Sequence, residues 1–152
     1  MEVKRIKENL LQHCKKHVEN RMGKIKQTIA DIEESLQEES KNTSGDKHET
    51  GRAMLQIDRE NSGKQLMEIE KLANLLNRID VNEAGEYVRL GSLVTTDKNI
   101  FFISISIGAV HIDGREYLCV ALNSPIGSQL AGKMVGDSFI FNNQNITVKQ
   151  IN

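Results

Sequence analysis

One proline, no tryptophan, four phenylalanines and two tyrosines among 152 residues leave little aromatic mass, so any globular core must be built mainly from aliphatic side chains. No stretch of 18 apolar residues occurs, and no basic start leads into an apolar block with a cleavage site. Neither a membrane span nor a secretory leader is therefore expected. The two cysteines, Cys14 and Cys119, are far apart in sequence and belong to no CxxC or other ligand-like spacing. They are expected to be reduced core or interface thiols in a cytoplasmic protein. A net charge of −1 argues against general nucleic-acid binding.

That average hides a gradient. Lys4, Arg5, Lys7, Lys15, Lys16, Arg21, Lys24 and Lys26 outnumber Glu2, Glu8 and Glu19 over residues 1–27, a net of +5. Residues 28–40 carry Asp31, Glu33, Glu34, Glu38 and Glu39 and nothing basic, a net of −5. On one helix this order opposes the macrodipole, which favours acid at the N-terminus and base at the C-terminus. A solvated face or an arm whose far end is kept acidic both fit the pattern.

Apolar residues recur at Val3, Ile6, Leu10, Cys14, Val18, Met22, Ile25, Ile29, Ile32 and Leu36, every step being three or four residues. This is one narrow helical stripe without a proline, of coiled-coil type. At about 1.5 Å per residue it predicts a helix on the order of 50–60 Å long. Asn42-Thr43-Ser44-Gly45 breaks the pattern with turn formers. A second helix is expected from about Asp46 to Ile79, with Met54, Ile57, Leu66, Ile69, Leu72, Leu76 and Ile79 on or near one face. Its stripe fails between Asp58 and Gln65. Gly63 lies in that gap and Gly23 at a similar height on the first helix, where either the arm softens or the two backbones come close.

Beyond Val81 the character changes. Val88–Thr96, Ile100–Ile107, Tyr117–Leu122, Ser138–Phe141 and Ile146–Ile151 read as strands. Asp97-Lys98-Asn99, Asp113-Gly114 and Asn142-Asn143-Gln144-Asn145 read as turns, and Ser124–Val135 as a short helix with Pro125 in its first turn. The expected fold class is α+β: an antiparallel helical coiled-coil hairpin over 1–80, with an acidic tip at 45–50, then a small domain over 81–152.

Two stretches resemble the Gre family of bacterial transcript cleavage factors. Ser124-Pro125-Ile126 through Leu130, Gly132-Lys133 and Val135-Gly136-Asp137 is similar to that family's SPIxxxLxGKxVGD signature, and Gly45-Asp46-Lys47-His48-Glu49-Thr50 to its GDxxEN loop. The resemblance implies an FKBP-like second domain that docks on bacterial RNA polymerase through Asn123, Ser124 and Pro125. It also implies a coiled coil that enters the secondary channel. The tip carboxylates Asp46 and Glu49 then share a Mg2+ with the polymerase, at the 3′ end of the nascent RNA. The protein is expected to be a monomer, an accessory factor and not an enzyme by itself.

The chemistry suits the residues. Mg2+ takes oxygen ligands and is commonly held by one or two carboxylates with phosphate and water. Positions i and i+3 share a helix face, so Asp46 and Glu49 can reach one ion. The same Asp-x-x-Glu also fits a capping box at a helix start, and a carboxylate has oxygens for both tasks. After Glu49 the family continues with Asn, a small residue, Glu and an aromatic, whereas this chain has Thr50, Gly51, Arg52 and Ala53. A non-cleaving regulator that enters the same channel is therefore the alternative. His48 and Arg52 read as solvated residues, with a phosphate contact the second choice for Arg52. Prolyl isomerase activity would need an aromatic-walled pocket, which the few Phe and Tyr supply thinly. A cysteine nucleophile would need a neighbouring base.

Overall fold

The computed structural model describes residues 2–41 and 46–152, with the backbone alone at 40, 41 and 46–49. The protein is α+β. Helices α1 (Glu2–Lys41) and α2 (Asp46–Asn77) precede β1 (Leu93–Thr96), β2 (Ile100–Ser104), β3 (Gly108–Ile112) and β4 (Arg115–Ala121). A short α3 (Pro125–Leu130) and strands β5 (Ser138–Phe141) and β6 (Gln144–Ile151) complete the order. The expected turn at Asn42–Gly45 lies outside the described residues. No described helix is long and apolar enough to cross a membrane.

The chain divides into two compact units, Val18–Ala73 and the remainder of the described chain, which joins α1 as far as His17 to Asn74–Asn152. In the first of these, Val18, Ile29 and Ile32 of α1 and Ile69 of α2 are buried, as the narrow stripe requires. Arg59 Nε lies 3.1 Å from Glu33 Oε1, and Arg52 Nη1 donates to the Leu36 carbonyl at 3.2 Å. As the α1 number rises the α2 number falls, which is the register of an antiparallel hairpin. The first pair supplies a reason for one member of the acidic run that the macrodipole could not: Glu33 faces Arg59 on α2.

The α2 stripe differs from expectation at its start. Met54 and Ile57 are 62% and 56% exposed. At about 100° per residue, Ile57 stands roughly half a turn around from Leu66. Leu55, Arg59 and Ser62 occupy the inward positions instead, and Ser62 is buried. The gap in the apolar pattern is thus spanned by an arginine that pairs across the hairpin and by a small hydroxyl. The glycines do not mark a close approach. A Cβ on Gly23 would meet nothing within 4 Å, and one on Gly63 would meet only Arg59 of its own helix, at 3.3 Å.

The second unit holds a six-stranded sheet in the order β3-β4-β2-β1-β6-β5. β2 and β4 run parallel, and every other pairing is antiparallel. Asp113 and Gly114 have φ of 52° and 79°, and Asn142 and Asn143 of 51° and 63°. Both pairs make the two-residue hairpin loop with positive φ at each central position, for which Asp, Asn and Gly are the favoured residues. β6 therefore starts at Gln144, inside the expected turn. β3 was not expected at all, yet the Asp113-Gly114 turn demands a partner strand before it, and Val110 and Ile112 supply its buried positions.

Two further elements are shorter than their composition suggests. Strand β1 begins only at Leu93, because Gly91 turns the chain at φ 90° and Val88 pairs instead with Gly132 and Lys133. Likewise β2 stops at Ser104 and α3 at Leu130. Gly132, at φ 77°, ends the helix in the left-handed conformation common there.

The inner strands are covered on both faces. Val94, Phe101 and Ile103 join Leu130, Phe139, Ile146 and Val148 in one core, with Leu118, Val120 and Ile126 packed against it. The alternate residues Leu93, Phe102, Ser104, Tyr117 and Cys119 are buried as well. Their cover is the start of α1. Cys14 Sγ lies 3.4 Å from Ser104 Oγ, and Val3 and Ile6 share a cavity of about 410 Å³ with Leu93 and Tyr117. Polar contacts fasten the same turns: Arg5 Nη2 pairs with Asp113 Oδ2 at 2.6 Å, and Lys7 Nζ donates to the Glu83 carbonyl at 3.1 Å.

Two predictions test these assignments. Gly23→Ala should stabilise the protein by about 1 kcal/mol in urea unfolding, since the site is open and only helix propensity changes; a loss of stability would mean that something packs there. Burial holds the Lys7 ammonium below its ordinary range, with Arg89 adding to the shift and Asp80 and Glu83 opposing it. The unfolded chain then binds more protons than the folded one in the alkaline window below the ordinary lysine value, so this group makes stability rise with pH there. Lys7→Met should flatten that rise in melting curves taken across the window, relative to the unaltered protein.

Candidate functional site

The candidate residues fall in two groups, one in each compact unit. Asp46 is the first residue of α2 and Glu49 lies in the same first turn. Their side chains, and that of His48, lie outside the described residues, as does Gly45 altogether. The next residues are described. Arg52 is committed to the Leu36 carbonyl of α1, and a Cβ on Gly51 would meet the Glu39 carboxylate at 3.5 Å. Arg52 is exposed, as expected of a solvated residue, and also binds the facing helix. Among the described residues no group of three or more His, Cys, Asp or Glu could hold a metal ion.

The second group surrounds the start of α3, where most residues of the SPI-to-GD signature can be assigned a physical task. Ser124 is the N-cap, with φ −73° and ψ 163°. Its Oγ accepts from Gly127 N–H at 3.0 Å and donates to the Ala121 carbonyl at 2.6 Å, tying the helix to the end of β4. Pro125 follows at the first helical position, where its missing N–H costs nothing. Gly127 has no substitute, because a Cβ there would run into the Ala121 carbonyl oxygen. Leu130 is fully buried in the sheet core.

The stretch then returns to the sheet. Gly132 N–H donates to Val88 O at 2.9 Å, and Lys133 stands over the Phe139 ring at 5.9 Å. Gly136, at φ 95°, donates to Val148 O. Asp137 accepts from Met134 N–H at 2.8 Å through its side chain, and its carbonyl accepts from Val148 N–H.

Most of the signature is therefore occupied in building this corner. Outward it presents Asn123, Pro125, Ser128 and Gln129, all exposed, with Met134, Val135, Gly136 and Asp137 exposed after the helix. Ser124 is half-buried and both its hydrogen-bonding functions are engaged within the chain. Its contribution to any surface is to position its two exposed neighbours.

The aromatic residues do not converge on one pocket. Phe101 and Phe141 line a cavity of about 270 Å³ beside α3, whereas Tyr117 lines the cavity on the opposite face and Phe102 is buried within that layer. A proline site walled by all of them is not formed.

One proximity has no counterpart in the sequence spacing. Cys14 and Cys119 are both free and fully buried; Cys14 Sγ lies 3.4 Å from Ser104 Oγ, and Ser104 shares a sheet face with Cys119 on the adjacent strand. The available signal was indirect: Cys14 sits on the apolar stripe of α1 and Cys119 on an inward strand position.

No model of a known protein family matches the chain, and no curated protein does.

The local geometry predicts how the corner fails. Ser124→Ala should cost about 1 kcal/mol in urea unfolding, the usual price of a lost cap. Gly127→Ala should cost about 1–3 kcal/mol, because the clash is with backbone that cannot rotate away. Equal tolerance of both changes would remove the assignment of this stretch as a structural corner.

Proposed function

We propose that this chain is a transcript cleavage factor of the Gre type, acting on bacterial RNA polymerase. On this reading the sheet unit has the FKBP-like fold of that family and docks at the rim of the secondary channel. Asn123 and Pro125 make contact there, and Ser124 holds the turn that presents them. The helical hairpin enters the channel as a coiled coil, bringing its tip to the 3′ end of backtracked RNA.

The observation that carries this reading is the conjunction of two features. Helix α2 opens at Asp46, so two carboxylates occupy a single first turn. The SPI-to-GD stretch folds as a corner whose exposed residues include Asn123 and Pro125, two of the three that the resemblance assigns to docking.

The donor set suits Mg2+, a hard cation that takes carboxylate oxygens and keeps several waters. When bound, such an ion lowers the pKa of an attacking water and stabilises the leaving oxygen of a phosphodiester. Asp46 and Glu49 would provide the factor's share of the ligands and the polymerase the rest. The four N–H groups that open a helix favour anionic side chains beside them, so both acids can be held at the start of α2 before the polymerase is met.

The bond from Arg52 to the Leu36 carbonyl favours a second reading, a channel-entering regulator that does not cleave. In the family that position is acidic; here it carries a cation that ties the two helices together.

A backtracked elongation complex separates the readings. Added protein should shorten the RNA from its 3′ end in Mg2+. Asp46→Ala and Glu49→Ala should each slow this on the order of 100-fold, the scale for removing one electrostatic stabiliser of a transition state, and should leave polymerase binding intact. Binding without shortening would assign the regulatory role. Absence of binding would defeat both.

A further inference from the structure

The sheet face beneath α1 contains a small cluster for which transcript cleavage has no use. Cys14 of α1, Ser104 of β2 and Cys119 of β4 are all fully buried, and Cys14 Sγ lies 3.4 Å from Ser104 Oγ. β2 and β4 are adjacent and parallel, with Phe102 level with Cys119, so Ser104 and Cys119 lie on one face of the sheet. Three short side chains at this point let the helix come close to the strands. Packing alone would be served by Ala or Val, yet both elements bring a free thiol to the same place.

We propose that Cys14 and Cys119 form an oxidisable dithiol, which hydrogen peroxide converts to an intramolecular disulfide joining α1 to β4. The roles of the two sulfurs differ. Hydrogen bonding with Cys119 and Ser104 outweighs burial at Cys14, and its pKa is lowered to about 7. The contact with Cys14, together with burial, pushes the Cys119 thiol well above its ordinary range. Cys14, which also has Ser104 Oγ at 3.4 Å, is assigned as the nucleophile and Cys119 as the partner that keeps its proton.

The Cys14 thiolate attacks one peroxide oxygen; the O–O bond breaks and the departing hydroxide takes up the proton from Cys14, leaving as water. Cys14 is now a sulfenic acid. The Cys119 sulfur attacks it, the S–O bond breaks, and the hydroxyl leaves with the Cys119 proton as a second water. Two thiols have lost two electrons and two protons, and one peroxide has become two waters. Burial selects the oxidant, since hydrogen peroxide is close to water in size and a bulky disulfide reagent is not. The cavity lined by Ile6 and Tyr117 lies on the same face of the sheet, and Tyr117 is two residues along β4 from Cys119.

The test uses the full, reduced chain under native conditions. Hydrogen peroxide is added, the protein is denatured in the presence of an alkylating agent, and the intact and digested masses are measured. Both thiols should escape alkylation together, the monomer should lose the mass of two hydrogens, and the Cys14 and Cys119 peptides should be recovered cross-linked. A bulky aromatic disulfide should react more slowly than the peroxide. In Cys119→Ser the sulfenic acid should persist on Cys14 and be trapped by dimedone. The proposal fails if both thiols of the unaltered protein remain alkylatable after peroxide, if one gains oxygen without a cross-link, or if the cross-link forms only in urea.

Discussion

Burial of the inner strands on both faces is the constraint from which the sheet unit follows. β2 runs parallel to β4 in the middle of the sheet, and four of its five residues are buried in succession. Successive side chains point to opposite faces, so a run of buried residues leaves neither face of this strand in water. α3 with the outer hairpin covers one side, and the first turns of α1 cover the other. Each cover depends on small residues at the point of contact. Gly127 permits the approach of α3 to Ala121, and Cys14 meets Ser104 under α1. The signature around Ser124 and the thiols at Cys14 and Cys119 are thus answers to the same packing demand from opposite sides.

Much of this was legible because it is periodic. The α1 stripe from Val3 to Leu36 corresponds to one helix whose described members are buried or half-buried throughout. Where periodicity lapsed, composition misled. Met54 and Ile57 looked like core because they are apolar, but helical phase puts Leu55, Arg59 and Ser62 inward. Val88 looked like the start of a strand because it is β-branched, but its hydrogen bonds go to Gly132 and Lys133 across 44 or more residues of chain. No local pattern encodes such a partner. The Cys14–Cys119 proximity is of that kind too: each residue was legible as buried, and only the fold brings them together.

At the candidate site the legible part was the chemistry of the residues, and the hidden part was how they are used. Ser-Pro at a helix start is readable as a cap and a first-turn proline, and both are observed. That Gly127 must lack a side chain depends on the end of β4, which sequence distance conceals. Arg52 is a parallel case. Read alone it is a charge on a helix surface; across the hairpin it joins the acid-rich end of α1 to α2, as Arg59 does with Glu33.

The unit that contains the sheet takes its residues from both ends of the sequence. This has a consequence for the order in which the molecule can be made. α1 is synthesised first, but the strands against which its opening turns pack come about a hundred residues later. β1 then waits for β6, which pairs with it on the far side from β2. Until then, Ile6, Leu10 and Cys14 have no sheet to cover them, and a nascent chain must carry that apolar stripe in some other company. Contacts of such long sequence separation slow folding, because loop closure must be met before they give anything back. The two helices can pair early; the sheet and the helix that seals it are completed together, at the end.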